Sequence, residues 1–272
     1  MARVVVLLLV FFRTACSADA AALKAILLGQ PGAVKAVFEA GGLFQVDVGS
    51  GQPGLEKYKL VILNPGAEAL PMSILTALDK YLMGGGGMVA LAGSGNSFPD
   101  APEFGLMLGV SAATNRDRSA GPLWFYQDGN IAFDGTTAAP AGKAIPPDKP
   151  FVVTIRNTEH PVTKGLPLEW MHIADELSGN LRGPAKNMSL LATAFSDASK
   201  GGTGRHEPQM VAVTYGKGRI FHSILGRAPE ALDCAGLQTL LQRGGEWAAT
   251  GRVTQKIPTD FPDEEKVSRR AK

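Results

Sequence analysis

An α/β protein with a mostly parallel central sheet is what this sequence predicts, on three observations. Strand-like and helix-like segments alternate through the first half, the strand-like runs are apolar at successive positions, and a helical stretch between two of them carries start and stop signals. Runs that are apolar throughout suit strands buried on both faces, the condition of a parallel sheet with helices above and below it. With 272 residues, 45% of them apolar, the chain can bury a substantial core in one domain. Its formal net charge is only +2, and its longest basic cluster is Arg269, Arg270 and Lys272 near the end, so no nucleic-acid partner is expected.

The chain opens with Arg3, an unbroken apolar run from Val4 to Phe12, and small residues that include Ala18-Asp19-Ala20. That is the pattern of a cleavable signal peptide over residues 1–20, which places the protein in the periplasm or outside the cell. Retention of the leader would keep it in the cytoplasm. The competing reading is a buried first strand, and Arg13 sits awkwardly for a leader. Nine apolar residues are too few to span a bilayer, which takes about 20, so no stable membrane span is expected. Removal of the leader takes Cys16 with it and leaves Cys234 alone, without an intrachain disulfide or a cysteine metal cluster.

Strands follow at Lys24 to Gly29, Phe44 to Val48, Lys59 to Asn64 and Met88 to Ala92, each short and rich in β-branched residues or leucine. Between the last two, Ile74, Leu75, Leu78, Tyr81 and Leu82 recur at helical spacing, with Pro71 at the start and Gly84 to Gly87 at the end. That makes a strand–helix–strand unit with a right-handed connection. From Ser111 to Pro150 the pattern loosens into a loop-rich insertion holding a small hairpin, Trp124-Phe125-Tyr126 and Ile131-Ala132-Phe133, placed to roof a site. Strands return at Phe151 to Arg156, Met188 to Phe195, Gln209 to Tyr215 and Arg219 to Leu225, and a helix over Ala235 to Ala249 closes the domain. The domain spans residues 21–258, and residues 259–272 read as a frayed, charged tail.

Groups able to do chemistry gather in the second half. Arg205-His206-Glu207-Pro208 precedes one strand, and His222 lies on the next, sharing a face with Ile220 and Ile224. A core imidazole satisfied by backbone is the plain reading of His222. A histidine beside a carboxylate and an arginine can instead serve as general acid or base, as a metal ligand or as a clamp on oxygen, and composition alone does not choose. Asp175 and Glu176 are adjacent acids: on a loop both are solvated, whereas on an extended segment they point to opposite sides, one toward a site and the other toward water. Ser94 sits on a glycine-flanked turn, but the nucleophile elbow fails because position 92 is alanine, and Asn96 is the better polar contact there. Trp124, Phe125 and Tyr126 can stack on a ligand ring or simply pack the hairpin on the domain.

The segments His160-Pro161-Val162-Thr163-Lys164-Gly165-Leu166-Pro167, Asp175-Glu176-Leu177, Gly204-Arg205-His206-Glu207-Pro208, Tyr215 to His222 and Glu246-Trp247-Ala248-Ala249-Thr250-Gly251 together closely resemble the ThuA-like family, named for trehalose utilisation. Order and spacing match from about Leu60 to Pro262. The resemblance implies a three-layer α/β/α sandwich of the class I glutamine amidotransferase-like (flavodoxin-like) type. It also implies work on trehalose or related disaccharides and their keto derivatives, with a small sugar as partner. The turn after Met88 to Ala92 has no cysteine, so glutamine hydrolysis is not expected.

On this reading His206 is the acid or base, Glu207 or Asp175 its partner carboxylate, and His222 a second proton or metal contact. Arg205 clamps substrate oxygen, and Asn96, Glu176 and Trp124 bind sugar. Two alternatives stay open: a binding module that has lost part of the site, and a hydrolase using a divalent metal held by His206, His222 and a carboxylate. The chain departs from the family pattern at Ala92, where a histidine is common, at Ser178, where a tyrosine is usual, and at Arg227-Ala228, where Gly-His-Asp is usual.

Overall fold

The structure, a computed structural model, describes residues 21–49, 54–66, 69–112, 117–146, 148–228 and 230–270. The leader read over residues 1–20 lies outside the described residues. The chain begins with β1 (Leu23–Gly29), α1 (Gly32–Glu39), β2 (Phe44–Gly49), β3 (Leu60–Asn64), α2 (Met72–Met83) and β4 (Gly87–Ala90), the expected alternation. After α3 (Phe104–Leu108) come the hairpin β5 (Leu123–Gln127) and β6 (Asn130–Asp134), then β7 (Lys143–Ile145), β8 (Phe151–Ile155) and β9 (Glu169–His172). Next are β10 (Leu177–Gly179), β11 (Leu181–Arg182), β12 (Met188–Ser196), β13 (Arg205–Tyr215), β14 (Gly218–Ser223) and α4 (Ala235–Thr250).

The central sheet runs β2-β1-β3-β4-β14-β13-β12-β8-β9. From β2 to β14 every pairing is parallel, and the strands lie in the order typical of a doubly wound flavodoxin-like sheet. Beyond β14 the sheet continues antiparallel, because the short Gly216-Lys217 turn between β13 and β14 cannot carry a crossover. Helices α1 and α4 cover one face, where Val37, Phe38, Leu237 and Leu241 pack on Leu27, Ile62 and Phe221. Helices α2 and α3 cover the other, where Leu75, Leu78, Phe104 and Leu108 meet Ile26, Val61, Met88 and Ile220. Each such side chain, fully buried, contributes about 1.5–3 kcal/mol, which is what holds the three layers together.

Two segments differ from expectation. Strand β13 starts at Arg205 rather than Gln209, so the Arg205 to Pro208 block is itself strand. Pro208 lies between His206, which pairs with β5, and Met210, where pairing with β14 begins, so its missing N–H falls where the strand changes partners. The tail, expected to fray, instead docks. Met171 N–H donates to Asp263 O at 2.6 Å, Ala235 N–H to Ser268 O at 3.0 Å and Arg270 N–H to Asp233 O at 2.8 Å, while Phe261 meets the edge of Trp170 with ring centroids 5.7 Å apart. Charged neighbours hide the apolar Phe261-Pro262 pair that anchors it.

Candidate active site

At the carboxyl ends of β4 and β14 a cleft of about 180 Å³ opens, lined by Asn96, Ser111, Glu176, Ser178, His222 and Arg227. This is where open α/β sheets place ligands. The insertion supplies part of the wall through Ser111, Ala112, Gly142 and Ala144. Asn96 ends a one-turn helix that begins after Gly93, whose φ of 87° is left-handed. A Cβ on Gly93 would stand 3.2 Å from Arg227 Nη1, so glycine lets both the turn and the guanidinium occupy that space.

His222 reaches the cleft from β14 with only 3% of its surface exposed. Its Nδ1 is 3.1 Å from Leu108 O, a carbonyl that can only accept, so Nδ1 carries a proton. Glu176 stands 2.9 Å from Arg227 Nε through Oε1 and accepts the Ser178 hydroxyl at 3.3 Å. Both partners of that ion pair are about a third exposed, so water screens it and it contributes under about 1 kcal/mol. A ligand can therefore displace it cheaply.

Asp175 points the other way. Its Oδ2 is 3.1 Å from His172 Nε2, and its two oxygens accept the backbone N–H groups of Gly226 (2.6 Å), Arg227 (3.1 Å) and Ala228 (2.8 Å). Burial would raise its carboxyl, but His172 and the N–H groups outweigh that and hold it below the usual range. For His172, burial would lower the ring, but Asp175 and the Cys234 thiol hold it up at about 9. Asp175 is thus the peg for the loop that carries Arg227 into the cleft.

The Arg205 to Pro208 block is divided by strand alternation. Glu207, fully buried and pushed up by burial, accepts from the Thr203 hydroxyl (2.7 Å), Arg205 Nε (3.2 Å) and Asn180 N–H (3.1 Å). Arg205 also donates to Asn180 Oδ1 at 3.0 Å and lies 4.1 Å over the Phe125 ring. These groups brace the Gly179-Asn180 turn next to Ser178, behind the cleft wall. His206 lies on the opposite face, with Thr193 Oγ1 3.4 Å from Nδ1, the Phe195 ring tilted against it at a centroid distance of 5.4 Å and Tyr126 opposite. Burial, then the nearby Arg156 charge, lowers its pKa. The expected pairing of His206 with Glu207 or Asp175 is therefore not formed, because neighbouring strand residues face apart and Asp175 is committed to His172.

Nor do His206 and His222 converge, and among the described residues no group of three His, Cys, Asp or Glu gathers at metal-binding spacing. The set of the alternative divalent-metal reading, His206, His222 and a carboxylate, is not brought together by these side chains. Trp124 donates its indole N–H to Gly183 O at 2.8 Å and packs on Phe133, so it serves the hairpin and does not line the cleft. The His160 segment is structural too: His160 packs edge-on to Trp247, and Arg243 gathers the carbonyls of Pro161, Val162 and Lys164. Of the residues singled out from sequence, Asn96, Glu176 and His222 meet in the cleft. Arg227, noted in the sequence only as a departure, joins them. Its place just beyond the carboxyl end of a parallel strand is the signal that could have found it. His172 and its link to Cys234 had no local signal.

Among curated proteins no match is found. Solved structures do match. A ThuA-like protein from Parabacteroides merdae ATCC 43184 is 37% identical, with TM-score 0.84, over 92% of this chain and 98% of that one. A second, from Bacteroides uniformis ATCC 8492, is 19% identical with TM-score 0.58 over 89% and 97%, a likeness of fold. The ThuA family, described as trehalose utilisation, matches residues 9–248, and the chain belongs to it.

Proposed function

We propose that the chain processes a carbohydrate by acid–base chemistry in the cleft, acting on a trehalose-like disaccharide or its keto derivative by hydrolysis or elimination. Membership of a family tied to sugar utilisation supports the substrate class. The observation that carries the reaction type is that Glu176 and His222 line one cleft at the carboxyl ends of β4 and β14. Glu176, released from Arg227, gives a proton to the leaving oxygen. His222 Nε2 takes one from the attacking water or from the carbon beside the keto group. Asn96 and the freed Arg227 hold sugar oxygens. Incubation of the protein with disaccharides and their oxidised forms, with product detection, tests this: a product formed by the parent and lost in Glu176→Gln supports it, and a product formed equally by both refutes it.

One observation favours a second reading, a binding or accessory module. The Glu176–Arg227 pair already occupies the carboxylate, and two of the family departures, Ser178 and Arg227, stand in the cleft wall. Calorimetric titration with the same sugars separates the two, since heat of binding without product belongs to the module. Export belongs to the same proposal, and the intact mass of mature protein recovered from cells tests it: loss of residues 1–20 supports export, and an uncleaved chain contradicts it.

A further inference from the structure

Two outer strands of the large sheet are covered along their free sides. On β2, Val46 N–H donates to Glu39 Oε1 at 3.0 Å and the Val46 carbonyl accepts from Lys35. On β9, Met171 N–H donates to Asp263 O in the C-terminal segment. Strand β6 is left open: it pairs with β5 on one side, and among the described residues no strand lies on the other. Open edges usually carry a charge or a proline that turns other strands away. The centre of β6, Ile131-Ala132-Phe133, has neither, and Ile131 and Phe133 are 43% and 66% exposed.

The hairpin turn fixes which backbone groups face outward. Asp128 and Gly129, with φ of 51° and 81°, form a two-residue turn closed by the bonded pair Gln127–Asn130. Bonded and non-bonded pairs then alternate, so Phe125–Ala132 is bonded while Tyr126–Ile131 and Trp124–Phe133 are not. The N–H and C=O groups of Ile131 and Phe133 therefore point away from β5, toward an incoming strand. The edge is also held in shape. Buried Arg182 gathers the carbonyls of Gly121 (2.9 Å), Thr137 (2.7 Å) and Ala139 (2.8 Å) on either side of the hairpin, so pairing costs little further ordering.

We propose that β6 is the contact through which two copies of this chain pair, edge to edge and antiparallel, about a two-fold axis at Ala132. In that register Ile131 exchanges both backbone bonds with the partner's Phe133, and Phe133 does so with the partner's Ile131. The two exposed apolar side chains then cover each other across the junction. The small Ala132 faces its own copy in a non-bonded pair, where side chains come closest. Asn130 lies opposite the partner's Asp134, an amide donor opposite a carboxylate, so the ends match as well. An axis at Ile131 would set Phe133 opposite Gly129, and one at Phe133 would set Ile131 opposite Gly135. An unrelated strand would satisfy only the backbone groups, whereas a second copy also supplies the matching side chains.

The test is sedimentation of the full chain over about 1–100 µM, the range in which a small interface assembles. The mass is expected to rise toward twice that of one chain. Ile131→Lys with Phe133→Lys sets like charges opposite each other and is expected to hold the mass of one chain throughout. Ile131→Lys with Phe133→Glu sets opposite charges there and is expected to restore the doubled mass. Thermal melting verifies that each variant is folded. If the double-lysine variant does not fold, Ala132→Cys decides, in a chain that also carries Cys16→Ser. A non-bonded pair brings the two Cα atoms to about 4.5 Å, within disulfide reach, so mild oxidation should link two copies there and leave Asn130→Cys largely unlinked. A parent that keeps the mass of one chain throughout overturns the proposal, even if its edge captures an extended peptide. So does a folded double-lysine variant that still doubles. Equal linking at positions 130 and 132 overturns the register.

Discussion

Asp175 and Glu176 are neighbours in sequence, yet one carboxylate is sealed in the core against His172 and the loop after β14, while the other faces a cleft beside Arg227. Extended backbone explains the opposite directions, and what each meets explains the opposite roles. Inside, a carboxylate with a cationic partner and several N–H donors fixes a loop. Outside, a carboxylate with one screened partner stays available to a ligand. The two are coupled, because the loop that Asp175 pins is the loop that presents Arg227 to Glu176.

The largest effect is expected from the buried member. Asp175→Ala leaves His172 and four backbone N–H groups, those of Glu176, Gly226, Arg227 and Ala228, without their acceptor and should cost about 3–5 kcal/mol, read as a lowered denaturation midpoint. Glu176→Gln, on the exposed side, should move stability by no more than about 0.5 kcal/mol. Turnover of a processed sugar should fall in that variant by about 10²–10⁴-fold, the range of a lost general acid. A large stability loss in Glu176→Gln would erase the contrast between the two carboxylates.

The pH dependence sharpens the contrast. His172 is held up at about 9 from 6.5, so its contribution is complete below about pH 6.5 and is lost as pH rises through about 9. The melting temperature should decline across that window in the parent and change less steeply in Asp175→Asn, which removes the partner that keeps the ring charged. Asp175 acts with the opposite sign: its lowered pKa contributes stability above the ordinary carboxylate range, lost as pH falls through the folded value. The smallest effect is expected at His206. His206→Ala removes a side chain on the face away from Glu207 and should change turnover by less than about threefold, measured beside Glu176→Gln.

Much of the fold was legible because its signals are local. Leu60 to Leu63 is apolar throughout and becomes a strand buried on both faces, and Pro71 and Gly84 bracket α2 nearly to the residue. The antiparallel half was harder. Its short strands β7, β9, β10 and β11 carry no periodicity long enough to see: β9 and β11 form on the edges that β8 and β5 offer, and β7 and β10 pair with each other as a separate two-stranded sheet. In the site, Asn96, Glu176 and His222 were visible as polar residues on a turn, an extended segment and a strand. The Gly204 to Pro208 block misled, since closeness in sequence suggested one cluster where alternation sends His206 and Glu207 to opposite faces. The link of His172 to Asp175 and Cys234 spans β9 to the start of α4, a juxtaposition that only tertiary packing creates.

The central claim is that the cleft of Glu176 and His222, and not the outer face bearing His206, is where this chain works on its ligand. The most direct measurement is the rate of product formation from the best sugar substrate for the parent, Glu176→Gln and His206→Ala, side by side, each verified as folded by thermal melting. A loss of at least about a hundredfold in Glu176→Gln with near-parental rate in His206→Ala is the expected result. Near-parental rate in Glu176→Gln together with loss in His206→Ala would contradict the claim and move the site to the outer face of the sheet.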